Sequence, residues 1–143
     1  MFVAEAVTGR REAVGDRAKV LLVEDEAIAR LYLASELRGA KYEVFEASNA
    51  DEALQILQSS AVDLLISDVV MPGSMDGIEL AARAREVRGS LKIIILSGQL
   101  PQAPSAKVAD GYFSKPYGCS TVLKSCRRLL EGKRNAAGAA LPA

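Results

Sequence analysis

The chain has 143 residues, half of them hydrophobic, with 18 basic residues balanced by 18 acidic ones, two cysteines and no histidine. This is about one domain's worth of sequence, with enough apolar surface for a core. The charge balance lacks the positive field that non-specific nucleic-acid binding needs, which disfavours DNA as a partner, and the missing histidine removes the commonest metal ligand and acid-base group.

The first 17 residues, MFVAEAVTGRREAVGDR, carry acids early and no sustained apolar run. They read as a loose extension, neither signal peptide nor membrane span, and the chain is expected in the cytoplasm. KVLLV at 19–23 is continuously apolar after its lysine, as a strand covered on both faces must be. EAIARLYLASELRGA then predicts a helix with Ile28, Leu31, Ala34 and Leu37 on one side and Gly39 as its stop. YEVFEA at 42–47 is more mixed and suits an edge strand. SNADEALQILQSS offers Ser48 and Asn49 as helix caps, Asp51 and Glu52 in the first turn, and Ala53 and Leu57 four apart.

Two further buried strands, VDLLIS at 62–67 and LKIIIL at 91–96, flank DGIELAARAREVRGS, a helix that ends at Gly89 after a basic last turn. GYFS at 111–114 is a weaker fifth strand, and STVLKSCRRLLEGKRN closes the domain with cations near its C-terminus. The basic run Lys124, Arg127, Arg128, Lys133 and Arg134 reads as a solvated face. Cys119 and Cys126 lie in this last helix about 10 Å apart along its axis, too far for a bridge, and two free thiols fit a reducing compartment. The folded domain is expected over 18–132, followed by a loose tail at 133–143 with no room for a DNA-binding domain.

Strands alternating with helices predict an α/β doubly wound fold, a five-stranded parallel sheet with helices on both faces; in the order 2-1-3-4-5 its first, third and fourth strands are neighbours and the fifth lies beside the fourth. Its ligand site should lie beyond the carboxyl ends of the strands. Just past those ends stand Glu24-Asp25-Glu26, Asp68, Ser97-Gly98 and Lys115-Pro116. Converging carboxylates repel unless a cation sits between them. Oxygen ligands with no histidine select a hard cation, most simply Mg²⁺. Asp68 then reads as a nucleophile towards phosphorus, with Mg²⁺, Lys115 and Ser97 neutralising the phosphoryl oxygens.

At these residues the chain resembles a receiver domain of the two-component response regulators, of the stand-alone type, over about 18–132. The motifs are VEDE, ISDVVMPGSMDG, ILSG and YFSKP, in order and each at a strand end. The resemblance implies a flavodoxin-like fold, Asp68 as phosphoacceptor, Asp25 as a direct Mg²⁺ ligand and Glu24 acting through water. It further implies the Val70 carbonyl as a metal ligand, Ser97 and Lys115 as phosphate contacts, Tyr112 as the ring that turns inward when Ser97 moves, and a cis Lys115-Pro116 bond. The donor would be a histidine kinase or phosphotransfer protein, since this chain has no histidine of its own. The chain departs from the family in having Glu24 for the commoner Asp, Ser97 for Thr, and Ser74 as one extra loop residue. The Ser97–Lys115 segment is also short and carries Pro101 and Pro104, so the family's fourth helix should be shortened or irregular.

Several functions stay open at this point. The chain is a phosphorylation switch, a phosphate sink or shuttle, or a constitutive binding module. An aspartyl-phosphate hydrolase is disfavoured, because the general acid it needs two residues past the nucleophile is replaced by Val70, which transfers no proton.

Overall fold

The computed structural model describes residues 17–98 and 108–137, with side chains described through Glu131. The expectations for the N-terminal extension, for the end of the tail and for the proline-bearing segment after Gly98 lie outside the described residues. The elements run β1 (Lys19–Val23), α1 (Ala27–Gly39), β2 (Glu43–Ala47), α2 (Ala50–Ser59), β3 (Leu64–Asp68), α3 (Gly77–Val87), β4 (Lys92–Ser97), β5 (Gly111–Ser114) and α4 (Cys119–Ala137). The five strands form one parallel sheet of order β2-β1-β3-β4-β5, as the sequence predicts. The mixed β2 is indeed an edge, and the nearly polar-free β1, β3 and β4 are its centre.

Side chains alternate along each strand, so the sheet divides the core into two layers. Leu21, Val23, Leu65, Ile93 and Ile95 face α2 and α3, packing on Ala53, Leu57, Leu80 and Ala84. Val20, Leu22, Leu64, Ile66, Ile94 and Leu96 face α1 and α4, packing on Leu33, Leu37, Val122 and Cys126. Central strands with consecutive apolar residues between their polar ends are the direct consequence of helices on both faces.

The helices follow their sequence signals with two corrections, at the buried face of α1 and at the end of α3. In α1 the buried stripe is Leu33, Ala34 and Leu37, whereas Ile28 and Leu31 are 74% and 57% exposed. At 3.6 residues per turn, Ile28 lies opposite Leu37 on the helix, so the four apolar positions never shared one side. Asn49 rather than Ser48 caps α2, accepting from the Glu52 N–H at 2.8 Å, while the Glu52 carboxylate accepts in return from the Ser48 N–H. The third helix ends at Val87, two residues before the predicted Gly89. Gly39 does end α1, but the left-handed residue that reverses the chain is Lys41, at φ 78°.

One junction sets the geometry of the sheet's carboxyl edge. Asp76 caps α3 by accepting from the Glu79 N–H at 2.9 Å, and the Gly77 N–H donates to the Val69 carbonyl at 2.8 Å. This return brings Gly77 against the end of β3, where any Cβ would run into the backbone carbonyl of Asp68. That carbonyl also accepts from the Ser67 hydroxyl at 2.8 Å. Gly77→Ala is therefore expected to cost about 1–3 kcal/mol of stability through overpacking. Urea denaturation measures it, and a midpoint equal to wild type would show that the junction yields.

Candidate functional site

Four strand ends deliver the site. Glu24 directly follows β1, with its N–H held by the Ala47 carbonyl of β2 at 3.0 Å. Its side chain is almost wholly buried, at 3% exposure, and one of its oxygens accepts from the Glu26 N–H at 3.1 Å. Asp68 is the last residue of β3 and is 7% exposed. Its Oδ1 accepts from the Val69 N–H at 2.9 Å. Asp25, by contrast, is exposed.

Lys115 joins these groups. Its backbone N–H donates to the Ser97 carbonyl at 2.8 Å, which anchors the residue at the end of β4. From there the side chain reaches back towards β3 and β1, and Nζ donates to Asp68 Oδ2 at 3.0 Å and to Glu24 Oε1 at 3.1 Å. The Lys115-Pro116 bond is cis, as the resemblance implies.

The electrostatics are unequal across this bridge. Burial pushes the Glu24 carboxyl above the usual glutamate range, and the bonds from Glu26 and Lys115 offset that only in part. Burial works against the Lys115 ammonium too, but its bonds to Asp68 and Glu24 outweigh it and leave the lysine above its ordinary value. Lys115 thus stays charged, and Glu24 is the member whose ionisation burial opposes. The asymmetry follows from access to water, because Lys115 is one-third exposed and serves two acids while Glu24 is enclosed.

One carboxylate oxygen from each of Glu24, Asp25 and Asp68 lies within 4.8 Å of the other two. Three hard oxygen donors at that spacing fit a hard cation and suit no soft metal. Among the described residues, Lys115 is the cation that pairs directly with carboxylates of the cluster.

The remaining expected residues take these places. Ser97 ends β4, buried and in register with Ser114. The Val70 side chain, two residues past Asp68, is 78% exposed. Tyr112 lies on β5 opposite Ile95 and packs, partly buried, against the layer that covers α2 and α3. A cavity of about 240 Å³ opens beside Glu24 and Lys115, walled by Ala29, Tyr32, Pro116 and Tyr117. The structure thus brings Glu24, Asp25, Asp68 and Lys115 into one cluster and sets Ser97 at the same sheet edge.

Sequence reasoning missed Arg30, whose Nη1 donates to the Glu24 carbonyl at 2.8 Å, and the clearance at Gly77. Arg30 follows the acids by about one helical turn, a spacing with no chemical signature of its own. Gly77 sits inside the quoted MDG, but only the folded junction exposes its steric demand. Both thiols are free, as expected, and burial pushes Cys126 up to about 12.

The family model of the response regulator receiver domain matches residues 20–127. The chain belongs to that family, and its fold is that of a two-component receiver. Among curated relatives, it is 36% identical over 120 residues to the sensor kinase CckA of Brucella abortus, covering 80% of this chain and 13% of that one. It is 42% identical over 80 residues to the response regulator receiver protein CpdR of the same organism, covering 56% of this chain and 66% of that one. The chain therefore spans less than two-thirds of either relative. Among solved structures, the response regulator TrrA of Thermotoga maritima, in complex with Mg²⁺-BeF, superposes with a TM-score of 0.73 at 32% identity, covering 78% of this chain and 98% of that one.

The raised Glu24 carboxyl sets a pH dependence. An acid whose folded value is raised contributes stability that is fully present below its unfolded value, here 4.5, and is lost as pH rises through the folded value. Glu24→Gln removes that loss. In metal-free buffer the stability of Glu24→Gln relative to wild type should rise from pH 4 to pH 7, read from paired thermal melts. A flat or falling difference would contradict the burial argument.

Proposed function

We propose that this receiver is a phosphorylation switch in which Asp68 accepts a phosphoryl group from a phosphohistidine of a histidine kinase or phosphotransfer protein. The observation that carries the reading is the Lys115 ammonium lying within hydrogen-bond reach of Asp68 and Glu24 at once. In the transfer, an Asp68 carboxylate oxygen forms the new bond to phosphorus while the phosphorus–nitrogen bond breaks. The electron pair leaves with the donor's imidazole. Lys115 and the Ser97 hydroxyl hold phosphoryl oxygens, which fixes their position and offsets their charge.

The metal in this reading is Mg²⁺, held by Asp25, Asp68 and the Val70 carbonyl, with Glu24 acting through water. The donor set of the acid cluster and the Mg²⁺-BeF complex of TrrA support it. When bound, Mg²⁺ supplies neutralisation of charge on the phosphoryl group. No acid stands two residues past Asp68 to protonate a leaving group or activate water, so the chain assists only its own phosphorylation and dephosphorylation and is not an enzyme with turnover.

The signal would pass from Ser97 to Tyr112 and so to partner-binding surface on residues 18–132. A phosphate sink or shuttle uses the same chemistry and differs only in having no effector. The exposed Ile28, Leu31 and Tyr32 on α1, of which Tyr32 walls the cavity next to Lys115, offer a donor an apolar approach to the site. No helix among the described residues is long and apolar enough to cross a membrane. The free thiols accord with a cytoplasmic setting.

Two outcomes test the reading. Asp68→Ala should abolish labelling by a small phosphodonor while leaving the circular dichroism spectrum unchanged, since the reacting oxygen is lost and the buried sheet is not. Labelling at the wild-type rate would sink the assignment. Mg²⁺ at a hundredfold excess over its Kd should stabilise the wild type by about 2.7 kcal/mol, and Asp25→Asn should lose most of the corresponding rise in Tm. An undiminished rise places the metal elsewhere.

A further inference from the structure

We propose that Arg30 is a positioning residue for the metal-binding acids, holding the turn between β1 and α1 in the shape that aims Glu24 and Asp25 at Asp68. The inference rests on reading that cluster as a cation site.

Arg30 sits in the first turn of α1, and its guanidinium spans two elements. Nη1 donates to the Glu24 carbonyl at 2.8 Å, and Nε donates to Glu46 Oε1 on β2 at 3.2 Å. Glu46 is itself fixed, because its other oxygen accepts from Arg38 Nη1 at 2.9 Å while Arg38 Nη2 donates to the Val44 carbonyl at 3.0 Å. A continuous set of charge-assisted bonds thus runs from the edge strand through Arg30 to the backbone of the acid turn. Arg30 and Glu46 are both largely sheltered from water, which strengthens the bonds that join them.

The point of attachment gives Arg30 its leverage. The Glu24 carbonyl and the Asp25 N–H belong to one planar peptide unit. Holding the carbonyl therefore sets the rotation of that plane, and with it the direction in which the Asp25 side chain leaves the backbone. Asp25 needs this help, since its carboxylate is exposed and makes no hydrogen bond or ion pair with another described residue. Nothing but the backbone keeps its oxygen within 4.8 Å of those of Glu24 and Asp68.

Charge alone predicts the opposite effect. A guanidinium beside three acids repels an incoming cation, so its removal would tighten metal binding by Coulomb's law. Positioning predicts weaker binding. A lysine keeps the charge but has a single ammonium in place of the rigid fork, and cannot reproduce both bonds in the same geometry.

The test compares wild type, Arg30→Lys, Arg30→Met and, as a control, Asp25→Asn. The probe is Mg²⁺ alone, titrated calorimetrically, with melts recorded with and without the ion and amide hydrogen exchange measured without it. Both Arg30 variants should bind Mg²⁺ about tenfold more weakly, as loss of an outer partner of a metal ligand does. The Mg²⁺-induced rise in Tm should shrink, and the amides of residues 25 and 26 should exchange faster. A merely structural role lowers Tm equally with and without Mg²⁺ and leaves the affinity unchanged, which overturns the proposal. Tighter binding in Arg30→Met with no change in Arg30→Lys assigns Arg30 a purely electrostatic part and overturns it as well. If wild type binds Mg²⁺ and Asp25→Asn does not, unchanged affinity in the Arg30 variants defeats the positioning argument alone. If wild type does not bind Mg²⁺, the reading of the acid cluster fails and the proposal falls with it.

Discussion

The whole arrangement depends on holding buried carboxylates together against their mutual repulsion. Glu24 and Asp68 are enclosed at neighbouring strand ends, where water screens them poorly, and Lys115 answers both with one ammonium. Removing that bridge would leave two desolvated charges facing each other. The same repulsion makes the cluster receptive to a cation. Stability and chemistry therefore draw on one set of charges.

The sheet makes this crowding possible. Three apolar strands covered on both faces cannot slip without burying polar backbone or exposing core, so their ends are fixed relative to one another. Parallel pairing sets all the carboxyl ends on one edge, and β5 supplies Lys115 to it through a backbone bond to Ser97. Gly77 closes the same edge from the other side, its lack of a side chain letting α3 begin against Asp68. The rigidity that places the acids belongs to the hydrophobic layers. The acids themselves contribute little to the core.

Around this centre the polar groups form shells of decreasing burial. Asp68 and Glu24 are held by backbone N–H groups and by Lys115. Behind them Arg30, Glu46 and Arg38 tie the acid turn to the edge strand, so the most exposed acid of the set, Asp25, is oriented through its backbone. Helix α1 serves two purposes at once. One stripe packs on the sheet, while Ile28, Leu31 and Tyr32 stay in water and Tyr32 walls the cavity.

The sequence alone determined the five strands, their central and edge roles, the family and the four strand-end motifs. Continuous apolar runs and chemistry-bearing residues at their ends are local signals, and a short segment carries them whole. It also located Asp25, Asp68, Ser97 and Lys115, because a parallel sheet maps strand ends onto one edge. The period of α1 offers two apolar sides, one with Ile28, Leu31 and Tyr32 and one with Leu33, Ala34 and Leu37, and only the tertiary structure decided which is buried, through where β1 and α4 lie. The part of Arg30 was likewise decided there. Its partners, the Glu24 carbonyl and Glu46, become neighbours only when β1 and β2 pair, and no periodicity records a side chain's contact with backbone from another element. The raised Glu24 carboxyl has the same origin, because its burial is a property of the packed edge and of no residue taken singly.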